Sequence, residues 1–197
     1  MVTGTHTRGL LRIITHASAP LSLKLGNKEV FMKFAVVLGS SRSDGNTSQL
    51  SQYIAERLDA KLIDLNKFSI SAFDYENRNI HDDFASLIES LIHYSHIIFA
   101  TPVYWYSMSS QMKVFFDRFT DLLTVHKDLG RSLRGIKCSV VSTGTDATLP
   151  ECFLEQFKLT FDYLGMEFVD CHYSPCPEPF SLHSNKEQIE GYIHNVA

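Results

Sequence analysis

Two short segments hold most of the chemistry this sequence can offer. The first is Gly39-Ser40-Ser41-Arg42-Ser43-Asp44-Gly45-Asn46-Thr47-Ser48, set between an apolar run and a helix-like stretch. Backbone N–H groups at a helix start have no intrahelical partner, and the helix dipole favours an anion there. Ser40, Ser41, Ser43, Thr47 and Ser48 add neutral donors, and Arg42 adds a planar charged fork. A polar turn capped by Asn46 or Thr47 would need one hydroxyl, so this density of donors points to a bound phosphomonoester. The Lys-Ser/Thr that closes a Walker A loop is replaced by Asn46-Thr47, the G-x-G-x-x-G spacing is absent, and no cysteine sits in the loop. The phosphate is therefore expected to be held rather than cleaved.

The second segment is Thr101-Pro102-Val103-Tyr104-Trp105-Tyr106-Ser107-Met108-Ser109, with three consecutive aromatics that include the sole tryptophan. Tyr and Trp offer rigid apolar faces with polar tips, suited to a flat heteroaromatic ring. Packing at a subunit interface is the competing use of such residues. A third polar stretch, Ser142-Thr143-Gly144-Thr145-Asp146, completes the set.

These loops need a frame to bring them together, and the hydrophobic pattern predicts one. Phe34–Leu38, Ala60–Leu65, Ile97–Ala100, Ile136–Val141 and Met166–Cys171 read as short buried strands. Helical spacing predicts Asn46–Leu58, a helix from Asp82 or Asp83 onward, one carrying Met112 to Leu123, Pro150–Leu164 stopped by Gly165, and Asn185–Asn195. Strict strand–helix alternation implies an α/β domain: a five-stranded parallel sheet, doubly wound, with helices on both faces. Ligands of such sheets bind beyond the carboxyl ends of the strands, where the three loops fall.

The 197 residues allow one domain, residues 32–197, preceded by an N-terminal extension, residues 1–31, expected to be disordered. Eighteen Lys+Arg against 22 Asp+Glu leave a net charge of −4, a poor footprint for nucleic acid. No apolar run approaches the roughly 20 residues that span a bilayer, so no membrane role is expected. Four cysteines without a CxxC pair make neither a disulfide framework nor a zinc site, and the nine histidines show no metal-like spacing. The expectation is a cytoplasmic protein with no metal. The basic residues Lys127, Arg131, Arg134 and Lys137 read as a solvated loop, and Asp117-Arg118 as an ion pair or a subunit contact.

Residues 39–47 taken with Thr101–Arg118 resemble the NADPH-dependent FMN reductase family of flavodoxin-like proteins, over about residues 32–173. The resemblance implies a flavodoxin-like sandwich of strand order 2-1-3-4-5 and FMN bound noncovalently. By position, Ser40, Arg42, Asn46, Thr47 and Ser48 would hold the FMN phosphate. Pro102, Val103, Tyr104 and Trp105 would line the ring, and Ser142, Thr143 and Gly144 would form the third flavin loop. The implied activity is NAD(P)H oxidoreduction: a hydride passes from NADPH or NADH to FMN, then electrons pass to a quinone, a flavin or a similar small-molecule acceptor. No dedicated catalytic acid or base is required, because the protein positions the cofactor and tunes it. Homodimers or homotetramers are implied, and an iron–sulfur cluster is not, since compact cysteine spacing is missing. Relatives often carry glycine where Tyr106 and Ser110 stand; Tyr106 would narrow the space over the ring. The alternative is a flavodoxin-like electron carrier or flavin-binding regulatory protein without NAD(P)H turnover.

Overall fold

Phe34–Leu38 (β1) is buried at every position, as a Phe-Ala-Val-Val-Leu run covered on both faces must be. The computed structural model describes residues 22–25, 28–177 and 180–197. Around β1 lie Lys61–Asp64 (β2), His96–Pro102 (β3), Lys137–Gly144 (β4) and Glu167–Pro175 (β5). All pair in parallel, in the order 2-1-3-4-5. Alternate side chains face opposite layers. Ala35, Val37, Phe99 and Val140 pack against one set of helices, and Val36, Leu38, Ile98 and Val141 against the other.

The first layer holds Phe84–Leu91 (α2), Ser110–Asp117 (α3) and Glu151–Leu164 (α6). Its centre is an aromatic cluster in which Phe99 stacks on Phe161 and meets Phe116 edge-on. The second layer holds Asn46–Leu58 (α1) and Leu182–Val196 (α7). Helix α1 buries Leu50, Ile54 and Leu58 and ends on Asp59 in the left-handed region (φ 51°). Gly165 takes the same conformation (φ 73°) after α6, the stop its position predicts.

Several elements differ from the periodicity. The helix expected from Met112 to Leu123 breaks after Asp117 into a 3₁₀ turn, Arg118–Thr120, and a short helix, Asp121–Thr124 (α4). At the break Arg118 turns inward. It does not pair with Asp117, which takes Lys113; it donates to Asp121 at 2.7 Å, to the Ser71 carbonyl at 3.0 Å, and to Asp82. The basic stretch read as a loop forms Lys127–Ser132 (α5). Strands β3, β4 and β5 run two to four residues further than their apolar cores, because the parallel ladder is made by the backbone and continues through polar side chains.

Within the expected extension, Ser22–Leu25 and Lys28–Phe31 pair as an antiparallel hairpin apart from the main sheet. Residues 1–21 and 26–27 lie outside the described residues. Among the described residues no helix is long and apolar enough to cross a membrane.

Candidate functional site

The carboxyl ends of β1, β3 and β4 open into a cleft of about 650 Å³. It lies where strand order reverses between β1 and β3, the place such sheets offer a ligand. Thirteen residues line it: Ser40, Arg42, Gly45, Asn46 and Thr47 from the first loop; Pro102, Val103, Tyr104 and Trp105 from the second; and Thr143, Gly144, Thr145 and Cys176. Ten of these are residues singled out above.

The loops are locked together by a few bonds. Gly39 N–H donates to the Ala100 carbonyl at 2.8 Å, and Ser109 Oγ donates to the Gly39 carbonyl at 2.7 Å. A side chain at Gly39 would meet Met112 Cβ at 2.8 Å, so only glycine lets the first loop pass α3. Asn66 Nδ2 donates to the Ser40 carbonyl at 2.7 Å, bracing the loop from the β2 side. Thr47 and Thr143 hydroxyls lie 2.7 Å apart and join the first loop to the third. Val103 N–H donates to the Thr143 carbonyl at 2.8 Å, joining the second to the third.

At the start of α1 the N-cap is Gly45, and no side chain caps the helix. The hydroxyls that could have done so are engaged elsewhere or face the cleft. Ser48 is buried and donates to the Ser43 carbonyl at 2.6 Å, so it braces the loop rather than lining the cleft. Asn46 Oδ1 accepts from Phe180 N–H at 3.1 Å while Asn46 itself lines the cleft. Arg42 is the one charged side chain among the thirteen lining residues, and it stands largely exposed at the entrance. With no carboxylate or histidine in that lining, the field favours an anion and no proton-transfer pair is present.

The second loop is a two-residue turn closed by Tyr104 N–H to the Ser107 carbonyl (2.8 Å) and the reverse bond (3.0 Å). Its central residues, Trp105 (φ 47°) and Tyr106 (φ 65°), are both left-handed, the geometry of a hairpin turn that favours Asn-Gly. Tyr106 therefore occupies a position where glycine would sit without strain. Trp105 is 93% exposed and Tyr106 60%.

In the third loop, a side chain at Gly144 would meet the Tyr173 hydroxyl at 2.8 Å; that hydroxyl donates to the Asp146 carbonyl at 2.7 Å. Ser142 is fully buried, outside the cleft, and its Oγ has no hydrogen-bond partner among the described residues. Cys176 was missed by spacing arguments. It reaches the cleft because β5 runs on beside β4, where its N–H donates to the Gly144 carbonyl at 2.6 Å. Burial pushes its thiol up from the ordinary value, so it presents a protonated, uncharged wall.

The donor set fits a phosphate-bearing planar cofactor: an uncapped helix start with one guanidinium at one end of the cleft, aromatic and proline surface at the other. Known proteins agree. Residues 32–177 match the NADPH-dependent FMN reductase family. A Bacillus subtilis (strain 168) protein, YwqN, named as an NAD(P)H-dependent FMN-containing oxidoreductase, is 33% identical over 149 residues, 70% of this chain and 81% of its own. Among solved structures, the Trp repressor binding protein from Bacillus subtilis superposes with a TM-score of 0.67 at 25% identity, covering 82% of this chain and 99% of that one. An FMN-dependent NADH-azoreductase from Bacillus anthracis, solved with FMN, shares the fold at TM-score 0.62 and 10% identity, over 84% of this chain and 99% of its own. By these matches, the chain belongs to the NADPH-dependent FMN reductase family, flavodoxin-like FMN-dependent NAD(P)H oxidoreductases.

Proposed function

We propose that this protein takes reducing equivalents from NAD(P)H onto FMN held in the cleft and delivers them to a quinone, a flavin or a similar small acceptor. When bound, FMN supplies the two-electron chemistry; the chain binds, orients and shields it. The observation that carries the reading is the uncapped start of α1, with Arg42 beside it, opening into the same cleft as Pro102–Trp105.

In this reading the backbone N–H groups at Gly45–Thr47, with Ser40 and Arg42, hold the phosphate. Ser48 keeps the loop in shape from behind. Pro102, Val103, Tyr104 and Trp105 carry the ring, and Thr143, Gly144 and Thr145 border its far edge, with Gly144 small enough to admit it. The predominantly uncharged lining excludes a competing acid or base. The open Trp105 side is where the nicotinamide and then the acceptor enter. The protein works in the cytoplasm, in keeping with four free cysteines, as a homodimer or homotetramer.

Purified protein should be yellow with FMN absorbance, and anaerobic mixing with NADPH or NADH should bleach it rapidly. Colourless, well-folded protein at saturating FMN would end the reading. Yellow protein that neither donor bleaches would assign the chain to an electron-carrier role. Arg42→Ala should weaken FMN binding about tenfold, near 1.4 kcal/mol for one exposed charged contact. An unchanged flavin dissociation constant would remove Arg42 from the phosphate site.

A further inference from the structure

Next to the cleft lies a second groove, of about 300 Å³, that holding FMN does not occupy. Leu65, Asn66, Phe68 and Ile70, from the segment that follows β2, form one wall, and Ser110, Gln111 and Val114 of α3 form the other. Cleft and groove share the first loop as a thin partition. Ser40 lines the cleft, and its carbonyl accepts from Asn66 Nδ2 at 2.7 Å; Ser41 Oγ, the next residue along, donates to Gln111 Oε1 at 3.5 Å. The walls are fixed before any ligand arrives. Phe68 and Ile70 pack on the core of the α2–α3–α6 layer. Between and beyond them, Ser69 N–H donates to Asp83 Oδ2 at 2.6 Å, Ser71 N–H donates to Asp82 Oδ2 at 2.9 Å, and Arg118 holds the Ser71 carbonyl at 3.0 Å. A site ordered in advance spends less of its binding energy on immobilising its own residues.

The lining says what class of ligand fits. None of its seven residues is charged, so an anion finds no counter-ion there. Four are apolar, one of them the half-buried ring of Phe68. The two carboxamides are each half used. Asn66 Nδ2 is spent on the Ser40 carbonyl and Ser43 Oγ, which leaves Oδ1 as an acceptor. Gln111 Oε1 is spent on Ser41 and Ser110, which leaves Nε2 as a donor. Neither remaining atom has a partner among the described residues. Adenine presents an amino donor beside a ring-nitrogen acceptor, together with a flat face for an apolar wall. A pure hydrocarbon would leave both amides unmatched.

We propose that this groove holds the adenine of NAD(P)H, with the dinucleotide folded over the first loop so that its nicotinamide reaches the open Trp105 side of the cleft. The inference rests on the NAD(P)H oxidoreductase reading above and gives the donor a second anchor, away from the flavin. The second loop runs straight into Ser110 and Gln111, so the nicotinamide end and the adenine end are held by one continuous stretch of chain.

Two measurements on the FMN-loaded full chain test this: equilibrium dialysis of AMP, and KM for NAD(P)H beside KM for reduced nicotinamide mononucleotide, which lacks the adenylate. The wild type should bind AMP, and AMP should compete with the dinucleotide but not with the mononucleotide. Val114→Trp and Ile70→Trp each fill the groove. Either should abolish AMP binding and raise KM for the dinucleotide at least about tenfold, the worth of one lost base contact. KM for the mononucleotide and the FMN dissociation constant should stay where they are. Gln111→Leu keeps the volume and removes the donor; it should weaken AMP binding and decides the matter if both tryptophan variants fail to fold. A wild type that ignores AMP overturns the proposal, as does AMP bound equally well by the filled variants, or a KM rise shared by both donors. Colourless protein that binds AMP in the groove would remove the flavin reading and leave the groove standing; yellow protein bleached by NAD(P)H yet indifferent to AMP would do the reverse.

Discussion

Arg118 is 1% exposed, yet it carries a full charge, and the structure meets that cost with two carboxylates, a carbonyl and the face of Phe84. Burial alone would push the Asp82 carboxyl up, but the Arg118 guanidinium and the N–H groups of Ser71 and Phe84 hold it below the usual carboxylate range. A depressed carboxyl contributes stability above its unfolded pKa of about 4 and loses it as pH falls through the folded value. Arg118→Met should therefore cost about 3–5 kcal/mol in urea unfolding at neutral pH, because Asp82 and Asp121 are left without their counter-ion. The penalty should shrink at acid pH as the Asp82 carboxylate takes up a proton. An equal loss at both pH values would show that Arg118 acts through its volume instead. From the sequence, Asp117-Arg118 looks like the pair; Asp82 is 36 residues away, and only folding brings it in.

At the scale of elements, the helices whose ends are written in the sequence appear where expected. Helix α1 starts and stops as its periodicity requires, and α6 runs from Glu151 to Leu164 between its flanking residues Pro150 and Gly165. The end of α1 offers a direct test. Asp59 holds φ 51° at an exposed position, where glycine carries no Cβ penalty. Asp59→Gly should stabilise the fold by about 0.5–1 kcal/mol, raising Tm by about 1–4 °C in a chain of this size. A lower Tm would mean that the Asp59 side chain makes a contribution the geometry does not reveal. The strand ends are a different matter. Thr101-Pro102 and Ser142-Thr143-Gly144 read as loop by polarity but pair as strand, since the ladder is indifferent to side-chain character. That extension is what carries Thr143 and Gly144 into the cleft.

Across the whole molecule, two histidines couple stability to pH. His96 and His172 lie on the α7 side of the sheet, bonded to Ser139 at 2.9 Å and Ser174 at 2.8 Å. Burial pushes both down to about 4, with Lys137 adding to the effect at His96. The unfolded chain thus binds protons near pH 6.5 that the folded chain refuses until about pH 4. Stability should be full above about pH 6.5 and fall as pH drops toward 4, on the order of 3 kcal/mol between pH 7 and 5. Chemical denaturation across that window checks the slope. A flat profile would mean that the folded protein takes up protons on the two rings over the same pH range as the unfolded chain. Tyr192, whose hydroxyl lies 2.6 Å from Ser139 Oγ, links this polar patch to α7. The docking of the last helix should therefore loosen first in acid.

The sequence by itself determined the layer architecture, because buried parallel strands must be apolar throughout and the helices between them must show a stripe. It also determined the character of the binding site, since hydroxyl, guanidinium and aromatic residues cluster within two short contiguous loops. Tertiary structure alone decided which of those residues reach the cleft. Ser48 and Ser142 are turned elsewhere, Cys176 is brought in by a neighbouring strand, and Trp105-Tyr106 is held left-handed by the bonds across its turn. The reason is physical: periodicity records what each residue prefers locally, whereas side-chain direction is settled by partners distant along the chain.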